Sequence, residues 1–188
     1  MMDTDMKNEK RRRAVIAGAE IFLRYGYART TMNDIAKAAA MSRPALYLLF
    51  PGKEQVFEAA TQYMAEHRLQ EIRDAIAPCV GLEEKLKHAC QMLLVNVFEL
   101  QITTPDARDM DDLVFQAVRD VYEKFENFFA DIIQEYQPDL SESPHKIARV
   151  LLYGARGLGD VAKSADAFSD MIRLHVALLC RGLPQVSA

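Results

Sequence analysis

The sequence predicts an all-α chain, with a small N-terminal three-helix domain followed by a larger helical one. Three observations carry this. Glycine and proline are sparse, at 8 and 7 in 188 residues, so few positions break a helix. The chain is 50% hydrophobic and 27% charged, an ordinary globular balance rich in helix formers. Between the few breakers, apolar residues recur at the 3.6-residue period. The length accommodates a small domain fused to a larger one.

The elements follow in order. Residues 1–6 read as a loose tail. From Lys7 to Tyr25 the apolar positions Val15, Ala19 and Phe22 fall at i, i+4, i+7, and Gly26 supplies the stop. A short helix from Thr30 to Ala39 has Thr31 as N-cap and Asp34 three residues on, a capping box with Asp in place of Glu. Its apolar face is Met32, Ile35, Ala36 and Ala39. Ala40 and Met41 form a turn, and Ser42 caps a third helix, Arg43 to Phe50. Pro44 is tolerated there because first-turn amides have no intrahelical partner. Leu46 and Phe50, spaced i, i+4, face inward. Pro51 and Gly52 stop that helix, and a fourth runs from Lys53 to about Ala77, before Pro78 and Gly81.

A fifth helix is expected over Leu82 to Gln101, broken by Thr103, Thr104 and Pro105, with a short helix from Asp106. Leu113 to Tyr136 carries two adjacent apolar faces, so it is expected to be buried among several helices. Ser143 and Pro144 start a helix to about Ala162, and a last one runs from Ala165 to Arg181, stopped by Gly182 and Pro184. No internal repeat or low-complexity segment interrupts the pattern.

The net charge is −4, yet it is unevenly placed. Lys7 to Lys53 holds 10 basic residues against 3 acidic ones, whereas residues 61–188 hold 13 against 20. Such asymmetry suggests a basic, DNA-facing module on an acidic body. Alone, the run Lys10-Arg11-Arg12-Arg13 reads equally as a solvated helix start. Cys79, Cys90 and Cys180 show no CxxC spacing, and His67, His88, His145 and His175 form no ligand cluster, so no metal site is expected. Reduced thiols, no signal peptide and no run near the roughly 18 apolar residues of a membrane span point to the cytoplasm and to no membrane partner. Nucleophile elbow, P-loop and GxGxxG are all missing from the sequence. The chain is therefore read as no enzyme, with no catalytic residue and no cofactor.

Two short helices joined by a tight turn and packed on a longer first helix make a helix-turn-helix, whose second helix is sized for the major groove. The free face of Arg43 to Phe50 presents Arg43, Pro44, Ala45, Tyr47 and Leu48. Arg43 is suited to a guanine edge or a phosphate, Tyr47 to a phosphate, and Ala45 and Leu48 to thymine methyl groups. Thr31 and Lys53 stand at helix starts that favour a phosphate. Arg43 and Lys53 read otherwise as solvated charges, and Tyr47 as half-buried packing. The motifs Tyr25-Gly26-Tyr27, Thr30 through Ala39, Ser42 through Tyr47, and Phe50-Pro51-Gly52-Lys53-Glu54 together resemble the N-terminal domain of TetR/AcrR transcriptional regulators. That resemblance covers about the first third of the chain. It implies a DNA-binding domain over residues 8–68, with the helix-turn-helix at 31–50. It further implies a helical ligand-binding and dimerisation domain over 69–188. Three positions depart from the family pattern. Ala40 stands where Gly is frequent, at a cost of about 1 kcal/mol if the backbone is left-handed. Leu48 and Leu49 stand where aromatic or histidine residues are frequent.

The expected function is a ligand-responsive repressor that binds a near-palindromic, double-stranded DNA operator as a homodimer. The alternative is a helical interaction or ligand-binding protein that does not bind DNA. For the dimer interface, Leu151, Gly154, Leu158, Ile172, Val176 and Leu179 are the candidates, because small residues on the first of those helices suggest close helix approach. For a small hydrophobic or amphipathic ligand, the candidates are Met92, Asn96, Phe98, Phe115, Tyr122, Phe125, Phe129 and Arg156, with core packing as the competing reading of the aromatics. Arg156 and Asp160, at i, i+4, read more readily as an ion pair.

Overall fold

The computed structural model describes residues 2–184, with side chains from residue 5. Among these residues the secondary structure is wholly helical: α1 Met2–Arg29, α2 Met32–Ala38, α3 Arg43–Tyr47, α4 Lys53–Ile76, α5 Leu82–Cys90, α6 Asn96–Thr103, α7 Gln116–Tyr136, α8 Pro144–Gly159 and α9 Ala165–Gly182. A π-helical turn, Gln91–Val95, joins α5 to α6, and a 3₁₀ helix, Pro105–Asp111, follows α6. The tail expected over residues 1–6 is helical from Met2 onward. The single helix expected over Leu82 to Gln101 contains the π turn, which inserts one residue into the ladder.

The chain forms two compact units. One comprises Met1–His67 with Leu100–Val121, the other Arg68–Glu99 with Tyr122–Ala188. The family resemblance assigns residues 100–121 to the second domain, and the structure groups them with the first. The chain passes between units within α4, α6 and α7.

In the first unit, α1 packs on α2 and on the 3₁₀ helix, and α2 packs on α3. Phe22, Ile35, Leu46, Phe50, Val56 and Phe57 are almost completely buried. Gly18 allows a close approach to α4, since a Cβ there would stand 2.8 Å from Val56 Cγ1. Phe22, Tyr27, Phe57 and Phe115 form one aromatic cluster, with Tyr27–Phe57 and Tyr27–Phe115 centroids 4.8 and 4.7 Å apart. Such offset and edge contacts suit the ring quadrupoles.

In the second unit, α9 packs on α5, on the π turn and on α8. Leu86, Phe129, Ile133, Leu151, Leu152, Phe168, Ile172 and Val176 are buried. Close approach of α8 and α9 depends on Gly154, where a Cβ would lie 2.8 Å from the His175 ring. Glu126 is 6% exposed, and Arg149 neutralises it in a two-pronged pair, Nε to Oε2 at 2.8 Å and Nη2 to Oε1 at 3.0 Å. Cys79, Cys90 and Cys180 are free thiols, Cys90 being buried.

Candidate nucleic-acid interface

The α2–turn–α3 motif is built from local signals. At the start of α2, the Thr31 hydroxyl accepts from the Asp34 amide at 3.3 Å, and the Asp34 carboxylate accepts from the Thr31 amide at 3.0 Å. This is the reciprocal box that the sequence predicts. The Thr31 hydroxyl also donates to Asp34 at 2.6 Å, and these bonds hold the Asp34 carboxyl below its ordinary range. At the other end, the Met41 amide donates to Ala36 O and the Ala40 amide to Lys37 O, at 3.0 and 3.1 Å. That is the paired closure of a Schellman motif, with Ala40 in the left-handed position at φ 50°. Ala40 thus occupies the strained conformation that its place in the motif implies.

Ser42 caps α3 by accepting from the Ala45 amide at 3.3 Å. Leu46 and Phe50, both 0% exposed, fix which face of α3 is buried. Regular helix stops at Tyr47, three residues short of the expected end, although the Phe50 amide still reaches Leu46 O at 2.9 Å. Beyond that turn, Arg11 donates from Nη1 to Leu49 O at 2.9 Å, with its guanidinium 4.2 Å from the Phe50 ring centroid. The sequence does not anticipate this role of Arg11, because a contact 38 residues apart leaves no local signal.

Arg43 and Pro44 are exposed, Tyr47 is 41% exposed and Leu48 is 83% exposed, while Ala45 is half-covered. Arg43 and Tyr47 lie together, with Nη2 3.4 Å from the phenol oxygen. A guanidinium and a hydroxyl side by side present several donors to an anionic or base-edge acceptor. Thr31 is exposed at the start of α2. Lys53 has a second task. It is half-buried, donates to the Tyr27 carbonyl at 2.7 Å and sits 4.1 Å from the Tyr27 ring centroid.

Lys53 thereby braces a joint that sequence reasoning missed. Gly26 interrupts α1 at φ 74°, ψ 171° rather than ending it, and one more turn runs to Arg29. The break strips the Tyr27 and Ala28 amides of helical partners, and the Asp109 carboxylate accepts from both at 2.8 Å. Arg29 pairs with Asp106, and the Thr30 hydroxyl donates to Gly26 O at 2.6 Å. A side chain at Gly26 would overlap the Asp106 carbonyl oxygen. The Tyr27 phenol is pushed above its ordinary pKa by burial and then by the Glu54 charge. The local clue is Gly26 itself, and Asp109 lies more than 80 residues from the amides it caps.

The C-terminal candidates are distributed differently from expectation. Phe115 belongs to the aromatic cluster of the first unit, not to a pocket in the second. Asn96 is exposed, and Phe98 stacks on Phe168 at 4.9 Å. Met92 is half-buried, and Tyr122, Phe125 and Phe129 are buried. Tyr122 and Arg156 do come together, Nε to the phenol oxygen at 2.9 Å. Of the interface candidates, Leu151, Ile172 and Val176 are 0% exposed within one protomer, so no partner can reach them. Gly154 is exposed, with the His175 ring where a Cβ would stand, and Leu158 and Leu179 are half-buried. The exposed apolar residues of α8 and α9 are instead Val150, Tyr153, Leu174 and Leu178. Of the small residues on α8, Gly159 faces Phe168 and Phe98 inside the chain, whereas Gly157 has open space beside it.

Residues 15–60 match the family model for bacterial regulatory proteins of the tetR family. The HTH-type transcriptional regulator LmrA of Bacillus subtilis is 25% identical over 178 residues, 90% of this chain and 93% of that protein. The HTH-type transcriptional activator FasR of Mycolicibacterium smegmatis is 28% identical over 85 residues, 45% of this chain and 39% of its own. A TetR-family transcriptional regulator from Pectobacterium atrosepticum superimposes with a TM-score of 0.69 at 19% identity, covering 98% of both chains. Thermus thermophilus FadR, a TetR-family transcriptional repressor solved in complex with lauroyl-CoA, gives 0.60 at 22% identity, covering 95% of this chain and 97% of that one. With the exposed Arg43–Tyr47 face standing on a buried Leu46–Phe50 base, the chain is a DNA-binding transcriptional regulator whose residues 15–60 are similar to the N-terminal domain of the tetR family.

Proposed function

We propose that this regulator is a homodimeric, ligand-responsive repressor of the cytoplasm, which holds a near-palindromic operator through Thr31, Arg43, Pro44, Ala45, Tyr47 and Leu48, with Lys53 in support. The observation that carries the DNA assignment is the α3 face, where Arg43 and Tyr47 stand exposed and adjacent while Leu46 and Phe50 fix the helix beneath them. The test is binding of the full chain to a duplex from its own upstream region. Arg43→Ala is expected to cost roughly 1–3 kcal/mol of specific affinity. Unchanged affinity in a folded variant would move the base-reading face elsewhere.

One α3 spans too few base pairs for useful specificity, and a two-fold dimer doubles the contact. Val150, Tyr153, Leu174 and Leu178 supply an exposed apolar surface suited to a second copy. Gly157 adds an open position on the same α8 stripe, since nothing lies within 4 Å of a Cβ built there.

For the ligand, Tyr122 and Arg156 offer polar anchoring beside Phe125, on the helix that also buries Phe129. An amphipathic molecule with an apolar chain fits that chemistry. The lauroyl-CoA of the Thermus protein makes acyl-CoA the first class to test. The proposed signal route is covalent: α6 and α7 continue into the segment whose Asp109 caps the broken end of α1. A ligand that displaces either helix loosens that cap.

A further inference from the structure

We propose that the first turns of α1 form a second, sequence-independent DNA contact, in which Lys7 and Lys10 hold backbone phosphates flanking the half-site and Arg11 positions them. The proposal rests on the DNA-binding reading above and extends it beyond α3. Residues 7–13 carry five basic side chains and one acid, Glu9, and all seven are exposed. This segment precedes residues 15–60, which match the family model. Lys7–Lys10 and Lys7–Arg11 are like-charged pairs at i, i+3 and i, i+4, which weaken a helix rather than support it. Among the described residues no hydrogen bond or ion pair takes up Lys7 or Lys10. A helix bearing like charges at i, i+3 and i, i+4 is stabilised when a polyanion lies along it.

Arg11 says where that polyanion lies. Its bond to Leu49 O and its seat on Phe50 pin α1 to the C-terminal end of the recognition turn. Lys7 is one helical turn before Arg11 on the same face, and Lys10 is about 60° further round from Lys7 at roughly 100° per residue. Lys7 therefore stands about 6 Å along the helix axis beyond the Arg11 anchor. The two ammonium groups extend the positive surface outward from the end of α3, where the duplex backbone continues past the bases read by Arg43. Lysine suits this task, because a flexible point charge follows a phosphate without demanding a base sequence.

The test uses the full chain, with a duplex containing the bound upstream site and an unrelated duplex of equal length. Affinity is measured by fluorescence anisotropy across a salt series for wild type, Lys7→Ala/Lys10→Ala and Arg43→Ala. The double variant is expected to lose affinity by the same factor on both duplexes. Its salt dependence should flatten by about 0.9 per lysine, so the wild-type loss between about 50 and 200 mM salt shrinks roughly tenfold per half-site. Arg43→Ala should weaken the upstream duplex selectively. Trimming the flanking base pairs should abolish the difference between wild type and double variant. A slope unchanged in the double variant, with wild type still selective for the upstream duplex, overturns this contact and leaves the α3 reading intact. A wild type that binds neither duplex overturns both.

Discussion

At the scale of single residues, the two left-handed positions in the DNA-binding unit have opposite logic. Gly26 adopts φ 74° without a Cβ penalty, and it exposes two amides that Asp109 then satisfies. Asp109→Ala removes a charged acceptor from both, with an expected cost of about 1–3 kcal/mol, read as a lower thermal midpoint with the helix content unchanged at low temperature. Ala40 adopts φ 50° with a Cβ in place. Its position in the turn makes that strain legible from the sequence. Ala40→Gly should stabilise by about 1 kcal/mol, raising the midpoint by roughly 2–4 °C for a chain of this size. A lowered midpoint would mean that the Schellman closure is not what holds the turn.

At the scale of elements, periodicity locates the helices far better than it chooses their faces. The α8 positions Val150 and Leu151 are neighbours in sequence and about 100° apart around the helix, yet one is 63% exposed and the other fully buried. Val150→Glu, alone or with Leu174→Glu, is expected to give a folded monomer in sedimentation at micromolar concentration. Leu151→Glu buries an unpaired charge in the α8–α9 core and should unfold the protomer instead. A folded monomer from Leu151→Glu, with Val150→Glu still dimeric, would restore the face that the small-residue stripe suggests. The π turn at Gln91–Val95 belongs to this scale too. It is held partly by the Gln91 amide donating to Ser169 at 3.1 Å, a contact with no local sequence signature.

At the scale of the whole molecule, the proposed ligand response requires a ligand that binds the DNA-incompetent state more tightly than the competent one. A coupling of about 1–3 kcal/mol suffices, and it is reciprocal. Acyl-CoA added to the full chain should therefore raise the thermal midpoint and lower operator affinity together, while saturating operator should weaken acyl-CoA binding by the same factor. Tyr122→Phe, which removes the hydroxyl bonded to Arg156, should reduce that coupling without altering DNA affinity in the absence of ligand. A midpoint indifferent to chain length across an acyl-CoA series would remove this ligand class.

The sequence by itself determined the helix-turn-helix, because its determinants lie within a few residues of one another. Thr31 with Asp34, Ala40 in the turn, Ser42 with Pro44, and Leu46 with Phe50 are all contacts of short range, and each takes the role its spacing implies. Only the tertiary structure decided the allegiance of residues 100–121, the capping of Gly26 by Asp109 and the anchoring of Arg11 on Leu49. It also decided which side of α8 and α9 packs within the chain. These depend on partners 24 to 82 residues away, and a helix with wide or adjacent apolar faces, such as α7, satisfies its periodicity equally well against any of several neighbours.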